Sequence, residues 1–178
     1  LKEYSVRGLV IHEFGPISAH RIEEFDDPIA DKGEVVIDVH AIGLNFPDTL
    51  MVQGKYQMWP DRPFIPGRDA SGVISSVGSG ITKLKVGDRV ACQVLWGAFG
   101  DKVCAPETKV FKLPKEIDFI SAAGMITTYN TAHVAIYERG NIQPGETVFI
   151  TGASGGVGLA MVELAKARGA TVLAGTTS

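Results

Sequence analysis

Thr147-Val148-Phe149-Ile150-Thr151-Gly152-Ala153-Ser154-Gly155-Gly156-Val157-Gly158-Leu159-Ala160-Met161-Val162 is the stretch that decides the fold of this chain. An apolar, β-branched run stops at a knot of glycines, and a helical pattern follows at once. Gly169-Ala170 punctuates, and Thr171-Val172-Leu173-Ala174-Gly175 reads as a second buried strand. Strand, glycine loop, helix and strand make one β-α-β unit of a parallel sheet, the unit that cradles dinucleotide phosphates. A strand that turns sharply into a helix needs positive φ angles or close backbone approach, and glycine supplies both. The helix start then offers unpaired N–H groups and the positive end of its dipole to an anion. Gly155 and Gly158 fall where the second and third glycines of G-x-G-x-x-G belong. Ala153 takes the first place, with Gly152 just before it. The segment Gly152, Ala153, Ser154, Gly155, Gly156, Val157 and Gly158 is therefore assigned to a pyrophosphate. The competing reading is a tight turn with no nucleotide.

An acidic residue about 20 positions past such a loop takes the 2′-hydroxyl of NAD. Here the second strand ends in Thr176, Thr177 and Ser178, and no carboxylate stands among them. A carboxylate would repel a 2′-phosphate, whereas hydroxyls hydrogen-bond one. The expected cofactor is NADP(H).

At 178 residues, 45% hydrophobic and 21% charged, the chain can build one core or two small ones. Its net charge of −3 argues against a nucleic-acid surface. No apolar run approaches the ~20 residues of a membrane span. Lys2 precedes no apolar stretch of signal-peptide type. Cys92 and Cys104 are too few for a disulfide framework, and the expected location is cytoplasmic. A two-stranded parallel piece leaves faces and edges bare. The expectation is that partner strands come from elsewhere or from a longer parent chain, and that the chain alone associates.

Working back toward the N-terminus, Val6–Ile11 and Ala19–Phe25 read as a hairpin and Glu34–Ile42 as the clearest early strand. Phe46–Val52 reads as a short helix with Asn45 as N-cap and Pro47 in its first turn. Further strands are expected at Ala70–Val77, Arg89–Val94, Phe99–Ala105 and Lys109–Leu113. Short strands at regular spacing predict a small β-barrel. Helices are expected at Ser121–Thr127 and Thr131–Glu138. The domain boundary is placed so that residues 1–117 form the barrel and 118–178 the nucleotide-binding part.

Several blocks now stand in order: Gly43-Leu44-Asn45-Phe46-Pro47-Asp48, Gly54-Lys55-Tyr56, Pro66-Gly67-Arg68-Asp69-Ala70-Ser71-Gly72-Val73-Ile74, Lys85-Val86-Gly87-Asp88-Arg89-Val90, Gln143-Pro144-Gly145-Glu146 and the glycine loop. Together they resemble the medium-chain dehydrogenase/reductase superfamily, in its zinc-free quinone oxidoreductase (zeta-crystallin-like) branch. The resemblance implies an α/β plus β architecture. A GroES-like β-barrel is followed by the first β-α-β unit of a Rossmann domain, which would be truncated here relative to longer family members. It implies NADPH-dependent hydride transfer to a quinone or an enone, and a homodimer.

In zinc-dependent members of that superfamily a Cys follows the third strand, and a His-Glu pair follows the glycine of the Pro66-Gly67 turn. Those places hold Asn45, Arg68 and Asp69 here. Arginine cannot ligate zinc and asparagine is a poor ligand, so no metal is expected. His12, His20, His40 and His133 match no metal-ligand spacing. Without zinc, the acceptor is polarised by hydrogen-bond donors. The resemblance points to Asn45 to orient the nicotinamide ribose or the substrate, and to Tyr56 to line the cleft and donate a proton. It places Thr131 beside the nicotinamide ring. Structural roles compete at each: a helix cap for Asn45, a loop anchor for Tyr56, a plain helix position for Thr131. Arg68 reads as half of a solvated pair with Asp69, or as a substrate ligand if it faces the cleft. The alternative to an enzyme is a non-catalytic fragment or binding module that keeps the barrel without a complete cofactor site.

Overall fold

The structure, a computed structural model, describes residues 6–177. The chain divides into two compact units, Leu1–Ile126 and Thr127–Ser178.

In the first unit, β1 (Val6–Val10) and β2 (Arg21–Phe25) form an antiparallel hairpin. The main sheet runs β6-β3-β4-β5-β7, from β3 (Glu34–Gly43), β4 (Asp69–Val77), β5 (Arg89–Gln93), β6 (Lys102–Pro106) and β7 (Val110–Lys112). Its described pairings are all antiparallel. Val35, Ile37, Ala70, Ile74, Val90, Cys92, Val103 and Ala105 pack into its core. These alternate along their strands, which is why one face of each strand is apolar. β3 runs between two partners and carries irregularities after Val36 and Val39 that let it bend. β6 begins later than the sequence pattern implies. Phe99–Asp101 is used instead against β1: Leu9 N–H donates to the Phe99 carbonyl at 2.9 Å and Asp101 N–H to the Arg7 carbonyl at 2.7 Å.

Helix α1 (Phe46–Val52) follows β3 directly, with Asn45 as N-cap and Pro47 near its start. It lays Met51 and Val52 against Ile11 and Phe64, a small second cluster.

Helix α2 (Phe119–His133) is continuous and passes into a π-helical stretch, Val134–Arg139. The expected break near Thr128 does not occur. Thr131 Oγ1 donates back to the Thr127 carbonyl at 2.7 Å, so the threonines stay inside the helical run.

In the second unit, β8 (Thr147–Thr151) and β9 (Thr171–Gly175) pair in parallel, joined through α3 (Gly156–Ala167). Ile136, Ile150, Ala153, Ala165 and Ala170 form its core. Phe149 and Leu173 are more than half exposed, at 66% and 54%. The same apolar strand pattern that predicted a buried sheet thus meets cover on one face only.

Candidate functional site

The glycine loop of the second unit has the geometry of an anion cradle. Gly152 ends β8 at φ +63°, a left-handed conformation that side chains resist. The Gly155 N–H closes the turn onto the Gly152 carbonyl at 3.0 Å, and the Ala153 N–H bonds the Gly175 carbonyl at the end of β9, also at 3.0 Å. Ala153 is buried, while Ser154, Gly155 and Gly156 are exposed. Gly155 is the N-cap of α3 and supplies no side-chain cap bond. The first-turn N–H groups of this 12-residue helix therefore have no side-chain oxygen from their cap, and an anion can take that role.

Gly158 explains how helix and strand approach so closely. A Cβ there would lie 2.2 Å from the Gly152 carbonyl oxygen and 2.8 Å from Ala153 Cα. At Gly155 the nearest atom to a built Cβ is 3.4 Å away, so the space over the loop is open. The residues present therefore fit a diphosphate: a closed side at Gly158, an open side at Ser154, Gly155 and Gly156. Thr176 and Thr177 follow β9 and are exposed, with no carboxylate at the strand end. Ser178 lies outside the described residues. Thr131 is exposed on α2, with its hydroxyl proton committed to the Thr127 carbonyl. Its oxygen can still accept a hydrogen bond.

The first unit gathers Asn45, Asp48, Tyr56, Arg68 and Asp69. Asn45 and Asp48 form a reciprocal capping box, in which the Asp48 carboxylate accepts the Asn45 backbone N–H at 2.8 Å. The Asn45 side-chain Nδ2–H donates to Asp69 at 3.0 Å. Asp48 and Asp69 are both only 1% exposed. The side chain of Asn45 is thus a bracket between a helix start and a strand start, bonded to both Asp69 and Asp48. Twelve residues apart, Tyr56 and Arg68 meet: Arg68 Nη1–H donates to the Tyr56 hydroxyl oxygen at 3.2 Å. Asp48 and the Arg68–Tyr56 bond were not singled out from sequence. The Asn45-x-x-Asp48 spacing was the available signal for the first; nothing local signals the second.

Burial pushes the Asp48 carboxyl above its ordinary value; the Asn45 backbone N–H works against that, and the nearby Asp69 charge adds to it. One oxygen, Oδ1, is buried with no partner. A carboxylate whose folded pKa is raised favours the folded state while protonated and loses that advantage as pH climbs from the ordinary 3.8 to the raised value. Asp48→Asn keeps an oxygen for the Asn45 N–H and removes the buried charge. The variant should be more stable than the parent at pH 7 by about 1 kcal/mol, the order of one unsatisfied buried group. Its advantage should grow across that window and be flat above it. Thermal midpoints between pH 3.5 and 8 check this, and a variant weaker than the parent at pH 7 contradicts it.

Neither cysteine is built as a nucleophile. Burial pushes the Cys92 thiol up to about 12. Burial and the Glu34 carboxylate, 3.2 Å from Sγ, push Cys104 up to about 12 as well. A thiol so placed carries almost no thiolate near neutrality. Among the described residues, no group of three or more His, Cys, Asp or Glu is arranged to hold a metal ion. No described helix is long and apolar enough to cross a membrane.

Comparison with known proteins adds to this geometry. Residues 31–115 match the alcohol dehydrogenase GroES-like domain. A quinone oxidoreductase-like protein 2 homolog from Nematostella vectensis is 37% identical over 164 residues, covering 90% of this chain and 44% of its own. The quinone oxidoreductase of Rattus norvegicus is 35% identical over 170 residues, covering 94% and 52%. The solved Escherichia coli quinone oxidoreductase complexed with NADPH superposes with a TM-score of 0.87 at 30% identity, covering 97% of this chain and 53% of that one. The chain spans about half the length of the curated relatives it matches.

Proposed function

Because this chain belongs to the zinc-free quinone oxidoreductase branch of the medium-chain dehydrogenase/reductase superfamily, we propose that it serves an NADPH-dependent, zinc-independent reduction of a quinone or an enone. The observation that carries the proposal is the cradle at Gly152–Gly158, closed by backbone at Gly158 and open at Gly155. In this reading the loop amides hold the diphosphate. Thr176, Thr177 and Ser178 receive the 2′-phosphate, and Thr131 lies by the nicotinamide. When bound, the cofactor supplies a hydride.

The chain's own residues do the rest. Negative charge builds on the acceptor oxygen, and donors fixed in advance are worth most at that moment. The side chain of Asn45 orients the acceptor or the nicotinamide ribose, its position set by Asp69 and the helix cap. Tyr56 gives the acceptor a proton. Its side chain packs against the cluster of Ile11, Met51, Val52 and Phe64. Both competing structural roles, cap and anchor, are served by the same side chains. A cytoplasmic homodimer completes the reading.

The test is equilibrium binding of NADPH and NADH to the intact protein, with turnover measured on a quinone and an enone. NADPH should bind tighter than NADH and support turnover. Gly156→Val should weaken NADPH binding by roughly 100-fold or more, because it blocks at least two charge-assisted hydrogen bonds of about 1.5–3 kcal/mol each. Affinity unchanged in that variant contradicts the placement, and absence of nucleotide binding in the parent overturns the function. Sedimentation checks the dimer.

A further inference from the structure

Arg68 follows Gly67, whose φ of +93° turns the chain sharply into β4. Its guanidinium does not simply meet solvent. It donates through Nη1–H to the Tyr56 oxygen at 3.2 Å, and its Nε is buried without a partner. The same side chain lines a cavity of about 440 Å³ with Gln93, Leu95, Trp96 and Lys109. Tyr56 itself packs against the apolar cluster of Ile11, Met51, Val52 and Phe64.

A hydrogen bond donated into a phenol has a direction. Arginine has no acceptor, so the phenol must accept, and its own proton is turned toward some other oxygen. The fixed positive charge also stabilises whatever negative charge is left on the phenol oxygen when the proton departs. We propose that Arg68 is a positioning residue for Tyr56. It aims the phenol proton at the acceptor and holds the phenolate that remains. This rests on the reading of Tyr56 as proton donor, and goes beyond it by naming the group that makes a tyrosine serviceable where relatives with zinc use a cation.

The step balances. The acceptor gains two electrons and one hydrogen as the hydride assigned above. The Tyr56 O–H bond breaks, its proton joins the acceptor oxygen, and the bonding pair stays on the phenolate beside Arg68. Water entering past the half-buried guanidinium returns a proton to the phenolate.

The test uses Arg68→Ala, Arg68→Lys and Tyr56→Phe in the intact protein, with two readouts. The first is the NMR resonance of Tyr56 labelled with carbon-13 at Cζ, assigned by its loss in Tyr56→Phe. It should shift in Arg68→Ala and return most of the way in Arg68→Lys. The second is quinone turnover. Arg68→Ala should lower kcat roughly 10- to 100-fold, the span of one charge-assisted hydrogen bond, with KM little changed. Arg68→Lys should recover most of that loss. In the Tyr56→Phe background, Arg68→Ala should cost nothing more. A Tyr56 resonance that ignores Arg68→Ala overturns the pairing itself. A resonance that shifts while kcat holds, or losses that multiply in the double variant, overturn the positioning role. A parent protein with the NMR coupling but no turnover shows that the proposed function has failed, and the positioning role with it.

Discussion

Gly158→Ala should lose nicotinamide nucleotide binding and destabilise the second unit, although alanine is the better helix former. Two effects oppose each other. Alanine in place of glycine gains about 1 kcal/mol of helix propensity. Against that, the added Cβ would sit 2.2 Å from the Gly152 carbonyl oxygen and 2.8 Å from Ala153 Cα, both backbone atoms. Backbone cannot rotate aside as a long side chain can. Overpacking of this kind costs about 1–3 kcal/mol and moves main chain. The main chain that must move is the loop whose amides form the cradle, so binding falls along with stability. Gly156→Ala is the control for stability. Its Cβ meets only Thr128 Cγ2, at 3.1 Å, a contact that a small side-chain adjustment relieves. Denaturant midpoints and an NADPH titration on both variants decide the matter. Gly158→Ala with a parental midpoint and parental affinity would mean that the loop is not closed by that contact.

The contrast between these two glycines marks where sequence alone stops. The strand–glycine–helix order was legible because each element carries a local signal: β-branched runs, positive-φ glycines, a helical apolar repeat. The helix at Phe46–Val52 was legible for the same reason, from Asn45 before it and Pro47 within it. Which glycine touches backbone and which faces open space depends on the closure of the loop in three dimensions. Continuity of α2 was not legible either. Thr128, Tyr129 and Asn130, the gap between the two expected helices, are weak helix formers, but their propensities cost only a few tenths of a kcal/mol each and the helix runs through them. Tyr56 and Arg68 each lay in a quoted block, yet the chain between them is a proline-rich loop with no periodicity. Only the path of that loop brings the phenol onto the guanidinium.

The polar cluster follows the same logic at the level of energy. Asp48 and Asp69 are buried acids in a protein that gains nothing in stability from burying charge. Asn45 joins them by a backbone and a side-chain hydrogen bond, and the Arg68 charge lies near enough to Asp48 to favour its ionised form. The positions that the resemblance equates with zinc ligands take part here in a network of hydrogen bonds. The network fixes the direction of an amide and a phenol, which the proposed zinc-independent reduction would require of its donors.

The largest effect on folding should come from Gly72→Ala in the centre of β4. Gly72 is paired with Val39 at the point where β3 bulges, and the bulge brings the Asp38 carbonyl over the glycine. A Cβ at position 72 would lie 1.9 Å from that carbonyl oxygen and 3.1 Å from Ile37 Cγ2. β3 cannot withdraw, because its other edge is paired with β6 from Glu34 to Asp38 and the Val39 N–H is bonded to the Asp101 carbonyl at 2.9 Å. Relief requires parting β3 from β4 or from β6, and both seams lie in the core of the first unit. The cost should exceed the usual range for overpacking and reach about 3 kcal/mol or more, a large part of the stability of an ordinary domain. Gly87→Ala separates this from a generic penalty for losing glycine. Gly87 has φ +87° but nothing within 4 Å of a built Cβ, so that change should cost only the left-handed strain of about 1–2 kcal/mol. Urea unfolding of the two variants against the parent measures the difference directly. Equal midpoints for Gly72→Ala and Gly87→Ala would show that β3 has somewhere to go, and that the bulge at Val39 is softer than its two flanking ladders require.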